Sequence, residues 1–456
     1  MSGAGQAGSA ILGSGARPTV LQVGEGRFLR AFLGALVADA RAGGGCPSRL
    51  VLTAPRPTGS PRLEALRAAG GSYRIVVRDG GGEHTSVVAP YDRIVDAYAE
   101  PEALLAEVAA PVPLVVVSNT TEAGLAYRPD EPGRPVTYPA RLTTWLEARR
   151  RAGATAPTCV IPCELLADNG ALLRAAVLRH ARDWGLDAGD LLTGVSFAET
   201  LVDRIVTSED PADALACFTE PYLAWYIGGA PDWVRRALPL DARFVHFVPD
   251  VTGARERKVR LLNGTHTLMA VLGLQMGVSG VLEALADPVL GGFVRAALQA
   301  EGVGSFPAPE RPEAEAFAAA TLARLLNPGI RDTLARLALQ LSAKVAARWT
   351  PILDGYRHEH GRWPSRFVLG LAAYLRLAAC PEAAAPVDLA EVDDPARISA
   401  LRGLWSPADP GAVVAAAAAA GLWPGPAAPD LLAEVAGRLR DLHRRGVADG
   451  LRGHTA

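Results

Sequence analysis

The sequence predicts an α/β fold in which a doubly wound parallel sheet is followed by a mainly α-helical domain. Through the first half of the 456-residue chain, short apolar runs alternate with helical patterns, which is typical of a parallel sheet with helices on both faces. Beyond about residue 250, the 3.6-residue rhythm of helices prevails and convincing strands disappear. The length suits two domains, which we place at 1–250 and 251–456.

The predicted strands of the first domain are apolar runs that end at turn residues. In chain order they are VLQV, RLVLTAP, PLVVVSN, APTCVIPCEL and a final strand in DLLTGVSFAETL. YRIVVRD and EHTSVVAP flank three glycines and predict a β-hairpin, because glycine supplies the positive φ angles of a tight turn. PEALLAEVAA and NGALLRAAVLRHARDWG have the periodicity of helices.

The second domain shows five strong helical patterns. They are RKVRLLNGTHTLMAVLGLQMG, EAEAFAAATLARLLNP, DTLARLALQLSAKVAARW, RFVLGLAAYLRLAA and DLLAEVAGRLRDLHRRG. Apolar residues recur at helical spacing in each of them. This part of the chain is therefore predicted to be almost wholly helical.

Charge and hydropathy exclude several classes of function. The formal net charge of -2 gives no electrostatic footprint for nucleic acid or for an anionic membrane. The longest apolar run is too short to span a bilayer, and the first residues lack the pattern of a secretory signal. Five scattered cysteines fit reduced thiols. We therefore expect a cytoplasmic protein without nucleic-acid or membrane partners, and no sequence pattern indicates a particular oligomeric state.

Two short motifs resemble fragments of metal sites. CVIPC at 159–163 and HEH at 358–360 are not completed by further ligands. We interpret the cysteines as buried thiols around a strand and the histidines as exposed side chains in a polar turn. No metal site is predicted.

GEGRFLRAF at 24–32 follows the first predicted strand and begins a helix. Gly24 permits a sharp turn, and Gly26 lets a pyrophosphate approach the backbone where free N–H groups and the helix dipole favour anions. Leu29 stands at the position of the usual third glycine, so a plain strand–helix turn remains an alternative. The order of strand, turn and helix favours a Rossmann-like dinucleotide site.

The cofactor is expected to lie along this turn and the end of a neighbouring strand. An acidic residue normally ends the second strand and binds the adenosine ribose, but here Arg56 stands in TAPRP. Because a guanidinium can accept a 2′-phosphate, NADP is physically allowed beside NAD. The expected cofactor-binding residues are Gly24, Glu25, Gly26, Arg27, Phe28, Asn119 and Thr120.

KVRLLNGTH at 258–266 places Lys258, Asn263 and His266 on an otherwise apolar helix. At about 100° per residue, the three side chains span an arc of roughly 140°. A lysine amine held away from water can act as a general base, an amide can stabilise an alkoxide, and an imidazole can orient a hydroxyl. A helix with snorkelling polar side chains is the alternative on spacing alone.

This spacing resembles the active-site signature of the polyol-specific long-chain dehydrogenases, the mannitol dehydrogenase family. Six blocks fall in the order of that family: VLQVGEGRFLRAF, VVVSNTTEAGL, IPCELLADNG, TLVDRIV, RERKVRLLNGTHT and LSAKVAARWTPIL. The resemblance covers nearly the whole chain, and the blocks look most like the tagaturonate reductase (altronate oxidoreductase) branch. It implies metal-independent hydride transfer with NAD, Lys258 as the acid/base, Asn263 at the oxyanion and His266 at the substrate.

Five further residues are the expected substrate-binding residues. Glu199 stands where the mannitol branch has an asparagine, and since a carboxylate donates a hydrogen bond only when protonated, it is expected to have another task there, such as binding a hydroxyl. Asp203 and Arg204 fit either an ion pair beside the site or a structural pair. Lys344 and Arg348 share a predicted helix face that suits a uronate carboxylate, or else a solvated basic face.

The sequence thus predicts an NAD(P)-dependent oxidoreductase that interconverts a sugar acid and its keto form, D-altronate and D-tagaturonate. A mannitol-type polyol dehydrogenase and a fructuronate reductase are the alternatives among enzymes. A sugar-acid-binding sensor that has lost turnover is the alternative outside enzymes.

Overall fold

The structure, a computed structural model, describes residues 17–56, 61–207, 210, 212–381, 383 and 386–453. The chain divides into two compact units, Met1–Ala254 and Arg255–Ala456. Strands are confined to the first unit in the described part of the chain, apart from an isolated bridge between Gly280 and Thr333.

The strands of the described residues are numbered in chain order. They are β1 (Thr19–Val23), β2 (Arg49–Thr53), β3 (Tyr73–Asp79), β4 (Gly82–Val88), β5 (Arg93–Ile94), β6 (Leu114–Ser118), β7 (Thr158–Pro162), β8 (Val195–Phe197), β9 (Glu199–Asp203), β10 (Val206–Thr207), β11 (Cys217–Thr219), β12 (Ala224–Gly228) and β13 (Val245–Val248).

The main sheet confirms the predicted doubly wound fold. Its order is β5-β2-β1-β6-β7-β8, and every pairing is parallel. Successive residues of β1 pack into different cores on the two faces of the sheet. Val20 packs with Phe32 and its helix, whereas Leu21 packs with Leu104 and Leu142. Strands covered on both faces are mainly apolar, which explains the nearly continuous runs in the sequence. The order reverses between β1 and β6, where sheets of this type bind ligands beyond the carboxyl ends of their strands.

The predicted hairpin is confirmed, but it belongs to another sheet. β3 and β4 pair antiparallel within a four-stranded sheet of order β10-β11-β3-β4. Of its three glycines, Gly82 has a φ of +129°, and neither Gly80 nor Gly81 falls in that left-handed region. Glycine is therefore required by backbone conformation at one end of this turn only.

The prediction of one final strand in DLLTGVSFAETL is wrong. Ala188–Leu191 form a helical turn, β8 completes the main sheet, and β9 pairs with β12 in a three-stranded sheet of order β13-β12-β9. The division falls at the fully buried Ala198, whose N–H donates to the Val160 carbonyl at 2.9 Å. Beyond that bond the chain leaves the main sheet, so one apolar run supplies two sheets.

The helical segments of the first unit lie between these strands. They are Arg27–Leu29, Arg30–Gly34, Ala35–Ala42, Pro61–Ala68, Pro101–Ala109, Glu122–Leu125, Tyr138–Arg151, Asn169–Asp183, Ala188–Leu191 and Asp232–Ala237.

The prediction that the remainder is mainly helical is confirmed. Its segments are Thr252–Arg257, Lys258–Asn263, Gly264–Gln275, Val281–Ala286, Pro288–Ala296, Ala297–Gly302, Val303–Ser305, Ala308–Glu310, Arg311–Leu325, Leu334–Leu337, Leu341–His360, Ser365–Ala379, Leu389–Val392, Pro395–Gly403, Ala412–Ala419, Pro429–Arg445 and Val447–Arg452. Ser365–Ala379 is buried over most of its length and contributes many side chains to the core of this unit. None of the helices in the described ranges has the length and apolar character that a bilayer crossing requires.

Two local expectations in this unit are wrong. DTLARLALQLSAKVAARW forms two helices, because Gln340 turns the backbone to a φ of +52° and donates its N–H to the Val392 carbonyl. HEH lies not in a turn but in the last turn of helix Leu341–His360, which ends at Gly361 with a φ of +68°. A glycine in the left-handed conformation is a common helix terminator.

Three segments depart from the α-helix by π-type hydrogen bonding. They are Arg30–Gly34, Lys258–Asn263 and Ala297–Gly302. In each, the residue directly after the segment donates its N–H to the carbonyl five residues earlier, as Gly264 does to Val259. Turns of this kind are rare and recur at functional sites.

Candidate active site

The turn after β1 has the shape that a dinucleotide site requires. Gly24 has a φ of +134°, and a Cβ there would lie 3.0 Å from the Asn119 carbonyl oxygen. Its N–H donates to the Thr53 carbonyl at 2.9 Å. Gly26 is extended, and a Cβ on it would meet nothing within 4 Å. Since the helix begins at Arg27 with no side-chain cap, its first N–H groups are available to an anion approaching Gly26.

Phe28 and Arg27 have different surroundings in this first turn. The Phe28 ring stacks on Phe32 with centroids 4.8 Å apart, which anchors the start of the helix in the core. The Arg27 carbonyl accepts the Cys217 thiol at 3.7 Å. The start of the helix is thus held by contacts with the protein interior, while the space beside Gly26 is open to a ligand.

Asn119 and Thr120 continue β6 and meet the turn at the switch point of the sheet. The Asn119 N–H donates to the Val23 carbonyl at 3.1 Å, and its Nδ2 donates to the Cys163 carbonyl at 2.7 Å. The Thr120 N–H and hydroxyl both donate to Glu164 Oε1, at 2.8 and 3.0 Å. The structure therefore brings the predicted cofactor residues of β1 and β6 together.

Glu164 is a residue of this region that the sequence reasoning missed. It is 2% exposed, and its Oε2 accepts the Ser118 hydroxyl at 3.1 Å. Burial raises the pKa of its carboxyl, while the donors from Thr120 and Ser118 oppose that rise. An acidic residue two positions after a buried strand, in IPCEL, was the signal in the sequence.

A cavity of about 290 Å³ lies beyond the carboxyl ends of β2 and β6. Two arginines, Arg56 and Arg128, line it, and none of its lining residues is acidic. The lining residues are Pro55, Arg56, Thr120, Thr121, Ala123, Gly124, Ala126, Arg128, Val136, Thr137 and Tyr138. The cavity thus has the place and the charge to receive an anionic group of a ligand.

Glu199 caps a helix. Its carboxylate accepts the N–H groups of Gly170 and Ala171, at 3.2 and 2.8 Å, in the first turn of helix Asn169–Asp183. A carboxylate is favoured at a helix N-terminus by the dipole and the unpaired N–H groups. Gly170 is required there, because a Cβ on it would overlap the Ala198 carbonyl oxygen. This contact accounts for an acidic residue at the position where the mannitol branch has an asparagine.

Arg204 points into the first unit, and Asp203 ends strand β9. Arg204 Nη1 donates to the Ala31 carbonyl, and Nη2 donates to the Glu220 carbonyl at 3.2 Å. Burial lowers the pKa of Arg204 to about 10. Asp203 is 8% exposed and lies opposite Ala224 in the ladder. These contacts join the residue that follows β9 to the helix after β1 and to the residue that follows β11.

In the second unit, Lys258, Asn263 and His266 are all half-buried, but their arrangement differs from the α-helical expectation. Lys258–Asn263 is a π turn. Residues five apart, such as Lys258 and Asn263, therefore lie about one turn from each other on the same side of the helix. The predicted arc of roughly 140° is wrong for this pair, because it assumed regular α geometry.

Arg348 is the predicted substrate residue that the structure brings to this turn. Its Nη1 donates to the Asn263 carbonyl at 3.3 Å and to Thr267 Oγ1 at 3.0 Å. The neighbouring Trp349 donates its indole N–H to the Gly264 carbonyl at 3.1 Å. Burial lowers the pKa of Arg348 to about 10. No carboxylate within the described ranges forms an ion pair with this guanidinium.

Lys344 lies one turn earlier on the same helix but makes a different contact. Its Nζ donates to the Leu337 carbonyl at 3.1 Å. Burial, followed by the charge of Arg348, lowers its pKa from the usual value. The structure thus brings Arg348 to Asn263 and holds Lys344 at the end of a short neighbouring helix. Among the described residues, no three histidine, cysteine or acidic side chains form a group suited to a metal ion.

The two units match two models of one protein family. Residues 18–236 match the mannitol dehydrogenase Rossmann domain, and residues 250–403 match the mannitol dehydrogenase C-terminal domain. Altronate oxidoreductase of Bacillus subtilis (strain 168) is 31% identical over 421 residues, which are 86% of this chain and 84% of that protein. Its counterpart in Klebsiella pneumoniae subsp. pneumoniae is 34% identical over 392 residues, which are 78% and 79% of the two chains.

Two solved structures share the fold. A substrate-free D-sorbitol dehydrogenase superposes with a TM-score of 0.79 at 22% identity, over 96% of this chain and 95% of the other. Pseudomonas fluorescens mannitol 2-dehydrogenase, in a ternary complex with NAD and D-mannitol, gives 0.67 at 23% identity, over 96% and 94%. The resemblance inferred from the sequence is confirmed. The chain belongs to the mannitol dehydrogenase family and is an oxidoreductase that acts on CH–OH groups.

Proposed function

We propose that the protein is an NAD(P)-dependent oxidoreductase that interconverts a sugar acid and its keto form, with D-altronate and D-tagaturonate as the pair. The observation that carries the proposal is Arg348, a half-buried cation at Asn263 with no carboxylate partner within the described ranges. A buried charge is costly unless it is compensated, and a uronate carboxylate would compensate this one. The names of the altronate oxidoreductase relatives support the same substrate class.

The proposed chemistry divides between Lys258, Asn263 and His266. When bound, the nicotinamide supplies or accepts the hydride. Lys258 takes the hydroxyl proton during oxidation and returns it during reduction. The Asn263 amide donates to the oxygen as negative charge develops on it, and His266 orients the substrate hydroxyl. Arg348 fixes the substrate by its carboxylate, so that the reacting carbon is held at Lys258.

The cofactor is proposed to be held by the turn at Gly24 and Gly26 and by Asn119 and Thr120. The open side of Gly26 and the uncapped helix start suit a pyrophosphate. The family resemblance favours NAD, while Arg56 and Arg128 in the acid-free cavity support use of NADP as well. We place the enzyme in the cytoplasm, since all five cysteines, which lie in described parts of the chain, are outside any disulfide.

A substrate panel tests this function. Oxidation of NADH and NADPH is followed by absorbance with tagaturonate, fructuronate, fructose and mannitol, the last with the oxidised cofactors. The proposal expects the highest kcat/KM with tagaturonate. Preference for fructose and mannitol would identify a neutral-polyol dehydrogenase, and preference for fructuronate would identify the other reductase. Binding of the sugar acids without turnover would contradict the enzyme and favour a sensor.

The same assay separates the two cofactors. Arg56→Ala and Arg128→Ala are each expected to lower kcat/KM for NADPH by about tenfold, as one lost charge-assisted bond to phosphate implies, and to leave NADH unchanged. Arg134→Ala, at an arginine that does not line the cavity, is the control. Equal loss with both cofactors, or with neither, would exclude a 2′-phosphate site here.

A further inference from the structure

A buried arginine lies directly behind the candidate dinucleotide turn. Arg30 is 0% exposed and occupies the first position of the π turn Arg30–Gly34. Its Nε donates to the carbonyl of Glu25, the central residue of the dinucleotide turn between Gly24 and Gly26, at 3.1 Å. Its Nη1 donates to the Leu215 carbonyl. The guanidinium therefore supports the loop between Gly24 and Gly26 from the protein side.

The position of Arg30 is fixed by the widened helix. The Tyr73 hydroxyl donates to the Arg30 carbonyl at 2.8 Å, and the guanidinium lies 5.3 Å from the centre of the Tyr73 ring. Gly34 makes room for that hydroxyl, since a Cβ at Gly34 would overlap it. A side chain inserted into the helical hydrogen-bond ladder is a recognised cause of such a bulge. The π turn thus serves to place Arg30.

The charge of Arg30 has no counter-ion in the described protein. No carboxylate within the described ranges forms an ion pair with it, and its buried Nη2 has no hydrogen-bond partner. Burial raises the pKa values of the neighbouring Tyr73, Tyr91 and Cys217, so these groups are neutral at physiological pH. The carboxylates of Asp39 and Glu220 act on Arg204 instead.

An isolated buried charge is among the costliest features a protein can keep. A guanidinium retains its charge in such a site. Its field is strong over several ångströms, because the surrounding dielectric is low. The turn is open at Gly26, where a Cβ would meet nothing within 4 Å, and the start of the helix has no side-chain cap on its first N–H groups. A dianionic group bound there would supply the missing negative charge.

We infer that Arg30 is a positioning residue for the cofactor: it braces the Glu25 carbonyl, and its charge is balanced by the diphosphate bound across the turn. The inference rests on the proposed dinucleotide site and adds a residue to it. Arg30 makes no direct contact with the ligand in this arrangement. Its effect on affinity should therefore follow the presence of the diphosphate and not that of the adenosine.

Calorimetry with adenosine, ADP and NADH tests the inference. Arg30→Met should weaken ADP and NADH by about tenfold or more, as expected for loss of a charge interaction of about 1.4 kcal/mol, and should leave adenosine within about twofold. Arg30→Gln keeps an N–H donor for Glu25 and supplies the same comparison if the methionine variant does not fold. Arg30→Lys should recover most of the ADP affinity.

Arg149→Met is the matched control. Arg149 is also buried, at 4% exposed, and donates to four backbone carbonyls, those of Val108, Ala110, Val112 and Ala156. Its loss should lower stability without separating ADP from adenosine. If Arg30→Met or Arg30→Gln weakens all three ligands equally, or none, Arg30 is only structural. If the unmodified protein binds neither ADP nor NADH, the proposed cofactor site itself fails.

Discussion

The π turns at Arg30–Gly34 and Lys258–Asn263 share a backbone pattern but present opposite kinds of surface. All five residues of the first are buried. In the second, Leu261 and Leu262 are buried, while Lys258 and Asn263 are half-exposed. The same departure from α geometry therefore occurs once around a packed interior and once beneath a set of polar side chains.

The contacts that the two turns make also differ. At the first turn, the Tyr73 hydroxyl enters the helical ladder and binds the Arg30 carbonyl. At the second, the Asn263 carbonyl accepts the Thr267 hydroxyl at 3.0 Å as well as the Arg348 guanidinium. An irregular helix is thus not by itself a mark of chemistry. The side chains that it exposes, and the groups that bind its carbonyls, distinguish a brace from a reactive site.

The largest expected effect comes from the polar face of the second turn. Lys258→Ala should lower kcat by at least about a hundredfold, the scale of a lost general acid/base, without weakening NADH binding. Lys258→Arg should not restore activity, because a guanidinium cannot accept the proton. Steady-state kinetics and NADH titration measure both. The control is Arg257→Ala, which removes a neighbouring cation paired with Glu313 at 2.8 Å. Full activity in Lys258→Ala would make the second turn structural like the first.

The next effect should appear in the stability of the first turn. Gly34→Ala drives a methyl group into the Tyr73 hydroxyl, and overpacking of a core costs about 1–3 kcal/mol. Thermal and urea unfolding should both show the loss. Tyr73→Phe removes the hydroxyl. Gly34→Ala should therefore cost less stability in the Tyr73→Phe variant than it costs in the unmodified protein. Simple additivity of the two losses would show that Tyr73 does not hold this turn open.

A third effect separates the carboxylate proposal from the backbone role of Arg348. Arg348→Ala should raise KM for a sugar acid by roughly ten- to a hundredfold, the range for losing one charge-assisted bond, and leave mannitol kinetics and NADH binding little changed. Lys344→Ala should have the smaller effect, since its ammonium binds the Leu337 carbonyl. Equal losses with charged and neutral substrates would instead mean that Arg348 acts by holding the Asn263 carbonyl.

The smallest effect concerns the glycine that follows the second turn. A Cβ at Gly264 would lie 2.9 Å from Ile352 Cδ1, the end of a side chain that can shift. Alanine also gains roughly 0.5–1 kcal/mol in a helix relative to glycine. Gly264→Ala should therefore change the free energy of unfolding by about 1 kcal/mol or less. A loss as large as that of Gly34→Ala would show that both turns are equally confined.

The sequence was sufficient wherever the structure follows from nearby residues. Buried parallel strands read as continuous apolar runs, and the turn at Gly24 could be inferred from glycine spacing and the adjacent strand and helix. Lys258 and Asn263 lie on one helical segment and His266 on the segment that follows it, so their place on a continuous helical stretch could be predicted from the sequence. These features depend on contacts within a few positions of the chain.

The features that were missed depend on residues far apart. The π turn at Arg30 requires Tyr73, which is 43 positions away, and the capping role of Glu199 requires the start of a helix 28 positions earlier. The strands β10 to β13 are two to five residues long, too short for alternation to be recognised. An arc computed for a regular α-helix also cannot anticipate one extra residue in a turn.

The corner at Ala198 has a consequence for how this chain tolerates insertions. One buried residue separates the last strand of the main sheet from β9. Since side chains alternate between the faces of a strand, one residue added there would exchange the two faces of β9. Val202 would leave its core, and Glu199 would lose its place at the helix start. The glycine hairpin between β3 and β4 should accept added residues, whereas the length of the Ala198 corner is fixed by the alternation on both sides of it.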